Sequence, residues 1–426
     1  MHIRMHLSRD GHAGLPARPW SAYALLLALM LLNHMDRQLV VALFPYLAGQ
    51  WGLSDAQLAS LTSVVPTLVA LCTVPMALLG DRWGRVRTVA MMAAVWSLAS
   101  VLAMGAGSYG QLLGARMLLG LGEAGFSALG AALIAGWFAP ALHGALLGGF
   151  LALAPLGAAA GLSLGASLAA LLGWRLPFGV FGLPGLLLAW LFWRLPEAHR
   201  GADRARHEAA AGGMHRALLA LLASPGVLLL CLGSALQFLV LSSWWAWLPT
   251  LLTRHAGLKP DAAAQSGALF VLAGAAGCVL WGLLLGRGGP LRPRLLGLGL
   301  LCLLSWLLSE HALAVLAQER RMPAWILGCA GLLVTCTVGP AAAMLLQRVS
   351  EAWRGTGAAL LSIAQNLMGL AAGPMLAGWL SPRLGLTGAL QGLSHAALLA
   401  AAAFVLAGLL CRQGSRDEGP LGEGPA

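Results

Sequence analysis

Long apolar runs recur along the whole chain, with only short polar interruptions between most of them. A run of roughly 20 apolar residues is enough for one helical crossing of a bilayer. Read as helices, the runs cover 21–46, 56–79, 87–107, 110–137, 144–172 and 174–194, then 225–252, 262–286, 295–317, 323–346, 356–380 and 385–411. One long polar stretch, Leu195 to Arg216, divides them six and six, and it carries Glu197, Arg200, Asp203, Arg204, Arg206 and Glu208. The expected fold class is therefore an all-α membrane protein of twelve transmembrane helices in two six-helix halves.

Composition excludes the main alternatives. Only 10% of the 426 residues are charged and 59% are hydrophobic. Mean hydropathy is +0.80. A soluble domain is about 25% charged, so a soluble enzyme, a disordered chain and a nucleic-acid-binding module are all ruled out. The formal charge of +11 does not restore a nucleic-acid reading, because 25 of the 26 basic residues are Arg scattered over loops, with Lys259 the exception. Arg and Lys in short loops set membrane orientation. With both termini in the cytoplasm, the inside segments hold eighteen Arg and the outside loops six Arg or Lys, while Arg37 and Arg116 fall inside spans.

The expected organisation is a cytoplasmic N-terminus (1–20), a first half (21–194), a cytoplasmic linker (195–224), a second half (225–411) and a cytoplasmic tail (412–426). Residues 1–19 carry three Arg and three His and lead straight into a span, so no cleavable signal peptide is evident. The seven cysteines form no CxxC pair and read as small packing residues without disulfides. The methionines show no metal-ligand spacing, and no GxxxxGK[ST] phosphate loop occurs. No metal, redox cofactor or ATP is expected, nor enzymatic activity.

Three polar patches interrupt this apolar background. After span 2 stands Gly80-Asp81-Arg82-Trp83-Gly84-Arg85-Val86-Arg87. Gly84 allows a tight turn, and Asp81 can hold an Arg or a helix N-terminus across the interface between halves. A weaker copy, Gly286-Arg287-Gly288-Gly289-Pro290-Leu291-Arg292, follows span 8 without the acid, as a duplicated unit would leave. Span 4 carries Arg116 and Glu123 seven residues apart, on one helix face about 10 Å from each other. Two charges inside a membrane helix imply partners or an aqueous cavity, while Gly120, Gly122, Ala124 and Gly125 allow close helix approach. Span 1 carries Asn33-His34-Met35-Asp36-Arg37-Gln38. Asn33 shares a face with Asp36 and Arg37, whereas adjacent Asp36 and Arg37 diverge by about 100° and cannot simply cancel each other.

The 6 + 6 layout with GDRWGRVR after span 2 resembles the major facilitator superfamily. Within it, Asn33-x-x-Asp36-Arg37 and Arg116-x-x-x-Gly120-x-Gly122-Glu123-Ala124 resemble the spinster family. So do Gly182-Leu-Pro-Gly185 and the stretch from Gln365-Asn366 to Gly373-Pro374. The anion:cation symporters share nearly the same span-1 and span-4 motifs and import organic acids. This chain departs from related patterns at His143 and Gly144, where Arg is usual.

The resemblance implies a proton-coupled symporter or antiporter of lysolipids or related amphipaths, with a carboxylate or sugar-acid importer as the alternative. Carried over by motif, Asp36 and Glu123 become the proton-titrating carboxylates. Arg37 and Arg116 become charge partners of substrate and proton, with Asn33, His34, Gln237, Trp244, Trp245 and Asn366 beside them. Asp81, Arg82, Gly84 and Arg85 become a gating latch. An interfacial aromatic belt is expected to account for at least one of Trp244, Trp245 and Trp247, and His395 is expected to be structural. The expected partners are a small-molecule substrate, protons and the lipid bilayer, with the chain acting as a monomer. The expected location is a bacterial inner membrane. A membrane-embedded enzyme would need paired His, Cys or carboxylate sets near the headgroups, which the loops lack. A non-transporting nutrient sensor would need no titrating pair.

Overall fold

The computed structural model describes residues 19–197, 216–286, 289–319 and 321–410, apart from the side chains of residues 77, 81 and 352. Among these residues the helices group into twelve passes. The first half contains Pro19–Ala42 continued by Phe44–Trp51, Asp55–Trp83, Arg85–Met104, Tyr109–Glu123 with Phe126–Trp137, Pro140–Leu172 and Leu176–Trp193. The second half contains Pro225–His255, Pro260–Leu285, Leu291–Glu319 and Ala324–Val334 with Pro340–Arg348. Its last two passes run from Arg354 to Leu410 and are separated by a kink at Gly385, φ 73°. They are called spans 1 to 12 below.

Ten helices satisfy length and hydropathy for a crossing as they stand. The number falls two short of twelve because span 10 is broken in mid-course and spans 11 and 12 run on through the Gly385 kink as one stretch. Residues 198–215, most of the expected linker, lie outside the described residues, as do the expected N-terminus and tail apart from residues 19 and 20. One difference from the sequence expectation is a short helix over 216–223 rather than loop. Its Leu221 is buried in a cluster with Val227, Met344, Leu345 and Val349.

Small residues fix how closely the helices approach. On span 5, Gly157, Gly161 and Gly165 follow one another at four-residue intervals and face span 1. A Cβ on Gly161 would overlap the Met35 carbonyl, and one on Gly157 would overlap the Leu31 carbonyl. On span 6, Gly182 and Gly185 lie against Ser97 and Ser100 of span 3. Without a hydrophobic drive between helices in lipid, such close packing supplies the attraction.

Three larger clusters of buried side chains define the conformation. One joins both halves at the end of the bundle away from the inter-half linker: Leu39, Phe44, Leu47 and Leu58 pack with Trp247, Leu251 and Ala377. At the linker end, the cluster built on Val65, Trp96, Phe126 and Phe150 stays in the first half, while the one built on Leu298, Met344 and Phe404 stays in the second. The halves are thus sealed together at the distal end and separately packed at the linker end.

Candidate functional site

A cavity of about 740 Å³ lies between the halves, lined by spans 1, 2, 5, 7, 8, 10 and 11. Its span-1 wall carries His34, Arg37, Gln38 and Val41, spaced to fall on one helix face. Opposite them stand Phe238, Leu241, Ser242 and Trp245 of span 7. Ala152, Ala154 and Ala158 of span 5, with Gly274, Ala275 and Ala276 of span 8, form a smooth wall. Among the described residues, Arg37 is the one Arg or Lys in this lining.

The hydroxyls that line the cavity are turned back onto backbone. Thr62 donates to the Ala59 carbonyl at 2.8 Å. Ser242 donates to the Leu239 and Gly369 carbonyls, each at 3.1 Å, and Thr335 to the Gly274 carbonyl at 3.0 Å. His34 donates from Nδ1 to the Met30 carbonyl at 3.1 Å. Polar chemistry facing the cavity is therefore concentrated on span 1.

Arg37 pairs with Glu123 across spans 1 and 4 at 3.5 Å, with side chains 26% and 4% exposed. Among the described residues neither Glu123 oxygen accepts a well-formed hydrogen bond, although the Asn33 side chain interacts with it. Span 4 breaks here: one helix ends at Glu123, and the next begins at Phe126 after Gly125 at φ 85°. Before the break, Gly120 seats against Val65 and Leu68 of span 2, and Gly122 against Met92 and Trp96 of span 3. The small residues of the span-4 motif thus draw Glu123 into the interior of the first half.

Asp36 and Arg116 occupy a second layer behind the cavity wall. Asp36 is 3% exposed and accepts a hydrogen bond from Ser100 of span 3, while its Oδ1 has no hydrogen-bond partner among the described residues. Arg116 is 1% exposed. It donates from Nε to the Leu61 carbonyl (3.3 Å), from Nη1 to the Asp36 carbonyl (3.3 Å) and from Nη2 to the Arg37 carbonyl (3.0 Å). The guanidinium thus ties spans 1, 2 and 4 together and fixes the backbone from which Arg37 projects. Direct contact with a cavity ligand is not the place the structure gives Arg116.

Several residues expected at the site lie elsewhere. Gln237 is buried inside the second half, and its amide donates to Ser305 Oγ (3.0 Å) and to the Val334 carbonyl (3.1 Å). That carbonyl belongs to the last helical turn before the break in span 10, so Gln237 supports an interrupted helix. Trp244 is 1% exposed and stacks on Phe270, their centroids 6.0 Å apart. Asn366 donates to the Ser362 carbonyl (2.9 Å) within span 11 and does not line the cavity. The belt expectation fails for all three span-7 tryptophans. Trp245 lines the cavity, Trp244 is stacked inside the second half, and Trp247 packs 5.4 Å from Phe44 and donates to the Pro374 carbonyl. Span 7 is enclosed by other helices for most of its length, which buries Trp244 and Trp247 and turns Trp245 to the cavity. Glu310, well inside span 9, was not singled out from sequence; it accepts from Gln391 at 2.8 Å and lies 4.0 Å from His395.

At the linker end, Gly84 alone connects spans 2 and 3, with φ 104°. The Asp81 side chain lies outside the described residues. Sequence reasoning missed Glu197, whose two oxygens accept from the backbone N–H groups of Val86 and Arg87, each at 3.1 Å. A Cβ at Gly84 would strike this carboxylate. Glycine is therefore required both by the turn and by the carboxylate that caps span 3. Glu197→Ala removes two charge-assisted caps and should lower the thermal midpoint by about 2–4 °C in a scanning-fluorescence melt. An unchanged midpoint would show that the cap contributes nothing. In the second half, Arg294 plays a comparable bracing part, donating to the Leu285 carbonyl and to Gln347, each at 2.6 Å.

Comparison with known proteins agrees with this architecture. The family model described as Major Facilitator Superfamily matches residues 26–374. An MFS-type efflux pump of Mycolicibacterium smegmatis is 28% identical over 95% of this chain and 94% of its own length. Protein spinster homolog 3 of Homo sapiens is 25% identical over 85% of this chain and 76% of its own. Among solved structures, a bacterial homologue of the human lysosomal transporter Spinster, inward-facing and unoccupied, superposes with TM-score 0.80. It is 21% identical, covering 92% of this chain and 97% of that one.

Proposed function

We propose that this chain, which belongs to the major facilitator superfamily, is a proton-coupled transporter of an amphipathic organic anion. It is an integral multi-pass membrane transporter and not an enzyme. The observation that carries the finer reading is Arg37, the one Arg or Lys among the described residues lining a largely apolar cavity, paired with the Glu123 carboxylate of span 4. An anionic headgroup entering the cavity competes with Glu123 for Arg37. A bidentate contact suits carboxylate or phosphate. Once Arg37 turns to the ligand, Glu123 loses this partner, and in this reading it takes up the coupled proton. Ligand and proton then load together, and recapture of Arg37 by deprotonated Glu123 helps expel the ligand on the other side.

Asp36, anchored by Ser100 beside Arg116, is the second titrating carboxylate in this reading. Both halves rock around the cavity in alternating access. The excess of Arg in the linker-end segments supports a cytoplasmic linker and termini, so the cavity lies on the cytoplasmic side of the distal seal. The resemblance to spinster proteins supports the amphipathic class.

The test is reconstitution of the full chain in proteoliposomes whose orientation is read by thiol labelling of an Arg204→Cys variant. Labelled lysophospholipid and aromatic carboxylate are offered with and without an imposed pH gradient. Accumulation of either that depends on the gradient and collapses with a protonophore is the expected result. Uptake indifferent to the gradient would overturn proton coupling.

A further inference from the structure

The distal seal contains a polar lock at the point where the two halves meet. Asp55 opens span 2, directly after the Ser54 cap, whose side chain and Gln57 exchange hydrogen bonds with each other's backbone N–H. The carboxylate therefore projects from a fixed helix end. It receives a two-pronged contact from Arg254 near the end of span 7: Nη2 to Oδ1 at 2.6 Å and Nη1 to Oδ2 at 2.8 Å. Ser381, from the distal end of span 11, donates to Oδ2 at 2.5 Å. Gly378, one turn earlier on span 11, lets the Asp55 carbonyl and Ala59 come so near that a Cβ there would overlap both. One residue of the first half thus holds two spans of the second. The Asp55 side chain is only 11% exposed and that of Arg254 38%. Arg37–Glu123 and Arg354–Glu351, by contrast, each lie within one half.

We infer that Asp55, Arg254 and Ser381 form the distal lock of the transport cycle, made when the cavity faces the linker end and broken when it faces the distal end. The three groups sit where the halves must part for a ligand to leave on that side. A bidentate Arg–carboxylate pair demands both distance and orientation, so rocking one half against the other breaks it as a unit. The contact exists in one state only, and such a contact biases the equilibrium by the whole of its differential strength. The lock therefore holds the resting transporter in the conformation seen here. It uses neither the Arg37–Glu123 pair nor the cavity ligand.

The experiment reads conformation without ligand or pH gradient, so its outcome is independent of the coupling and substrate class proposed above. Spin labels at Gly110→Cys and Leu258→Cys report the distal separation of the halves by electron–electron resonance, in full-length protein with native cysteines replaced and reconstituted in nanodiscs. Asp55→Asn and Arg254→Gln should each raise the distal-open population by roughly three- to tenfold, as expected for a partly exposed bidentate pair. Ser381→Ala should raise it less. The exchanged pair Asp55→Arg with Arg254→Asp should restore most of the closed population. Distance distributions unchanged in Asp55→Asn and Arg254→Gln would overturn the lock. So would an exchanged pair no more closed than either single variant. If an Asp55 variant fails to fold, Arg254→Gln with Ser381→Ala carries the same test.

Discussion

Glu123→Gln should leave the transporter unable to concentrate its substrate, with proton-driven uptake falling to the equilibrium level. Glutamine keeps the size and the polar end of the side chain but cannot exchange a proton. It also releases Arg37, which has no other carboxylate in the cavity lining among the described residues. Ligand binding should therefore survive, and exchange of labelled for unlabelled substrate should persist where net accumulation fails. Asp36→Asn should abolish accumulation as well. Because Asp36 supplies the negative charge beside the buried Arg116 guanidinium as well as the acceptor for Ser100, its neutralisation is expected to disturb exchange more than that of Glu123. Counterflow and gradient-driven uptake, measured side by side over a range of external pH, separate these outcomes. Two variants that still concentrate substrate with wild-type pH dependence would remove both carboxylates from the coupling scheme.

The division of labour between these two carboxylates could not be read from the sequence, although both positions could. Spacing identified Asp36, Arg37, Arg116 and Glu123 as intramembrane charges because each is costly in hydrocarbon. Which of them faces the cavity depends on helix rotation, and that is set by glycine contacts such as Gly161 against the span-1 backbone and Gly122 against span 3. Hydropathy has no view of such contacts. The twelve passes and the six-plus-six division were legible because they follow from apolar length alone. The break at Gly125 left only a glycine-rich stretch as its signal, indistinguishable in sequence from a close-packing motif. Gln237 and Trp244 looked like cavity residues because polar and aromatic side chains in a central span suggest ligand contact. In the fold, Gln237 satisfies a carbonyl freed by the interruption of span 10. Two residues whose contacts the sequence did not reveal, Glu197 and Asp55, lie beside loops and act on partners more than a hundred positions away. Glu197 stands in the polar segment that follows span 6, where an acid is unremarkable by composition. A carboxylate just after a serine cap at Asp55 reads as ordinary helix-start chemistry.

Arg37→Ala should weaken ligand binding by roughly 30-fold or more, since removing one partner of a desolvated charge pair costs about 2–5 kcal/mol. The ligand panel used with it decides the substrate class. Thr62, Ser242 and Thr335 have their hydroxyl protons committed to backbone carbonyls, and the walls from spans 5 and 8 are alanine, glycine and other apolar residues such as Leu151, Leu156 and Val279. A sugar acid would seat its carboxylate on Arg37 but leave several hydroxyls without partners, at about 1–3 kcal/mol for each one buried. An anion with a single compact head and an apolar body loses nothing against the same walls, and Phe238 and Trp245 offer it ring faces. Purified protein should therefore give saturable binding to lysophospholipids or aromatic carboxylates in a calorimetric or thermal-shift titration, with little response to sugar acids. Arg37→Lys should recover part of the affinity for a phosphate head and less for a carboxylate, because the ammonium keeps the charge but loses the two-pronged geometry. A sugar acid that binds saturably, loses that binding in Arg37→Ala and outcompetes every amphipath would overturn this choice. The hydroxyls of Thr62, Ser242 and Thr335 would then have to turn from their own backbone toward the ligand, placing the chain functionally with the organic-acid symporters.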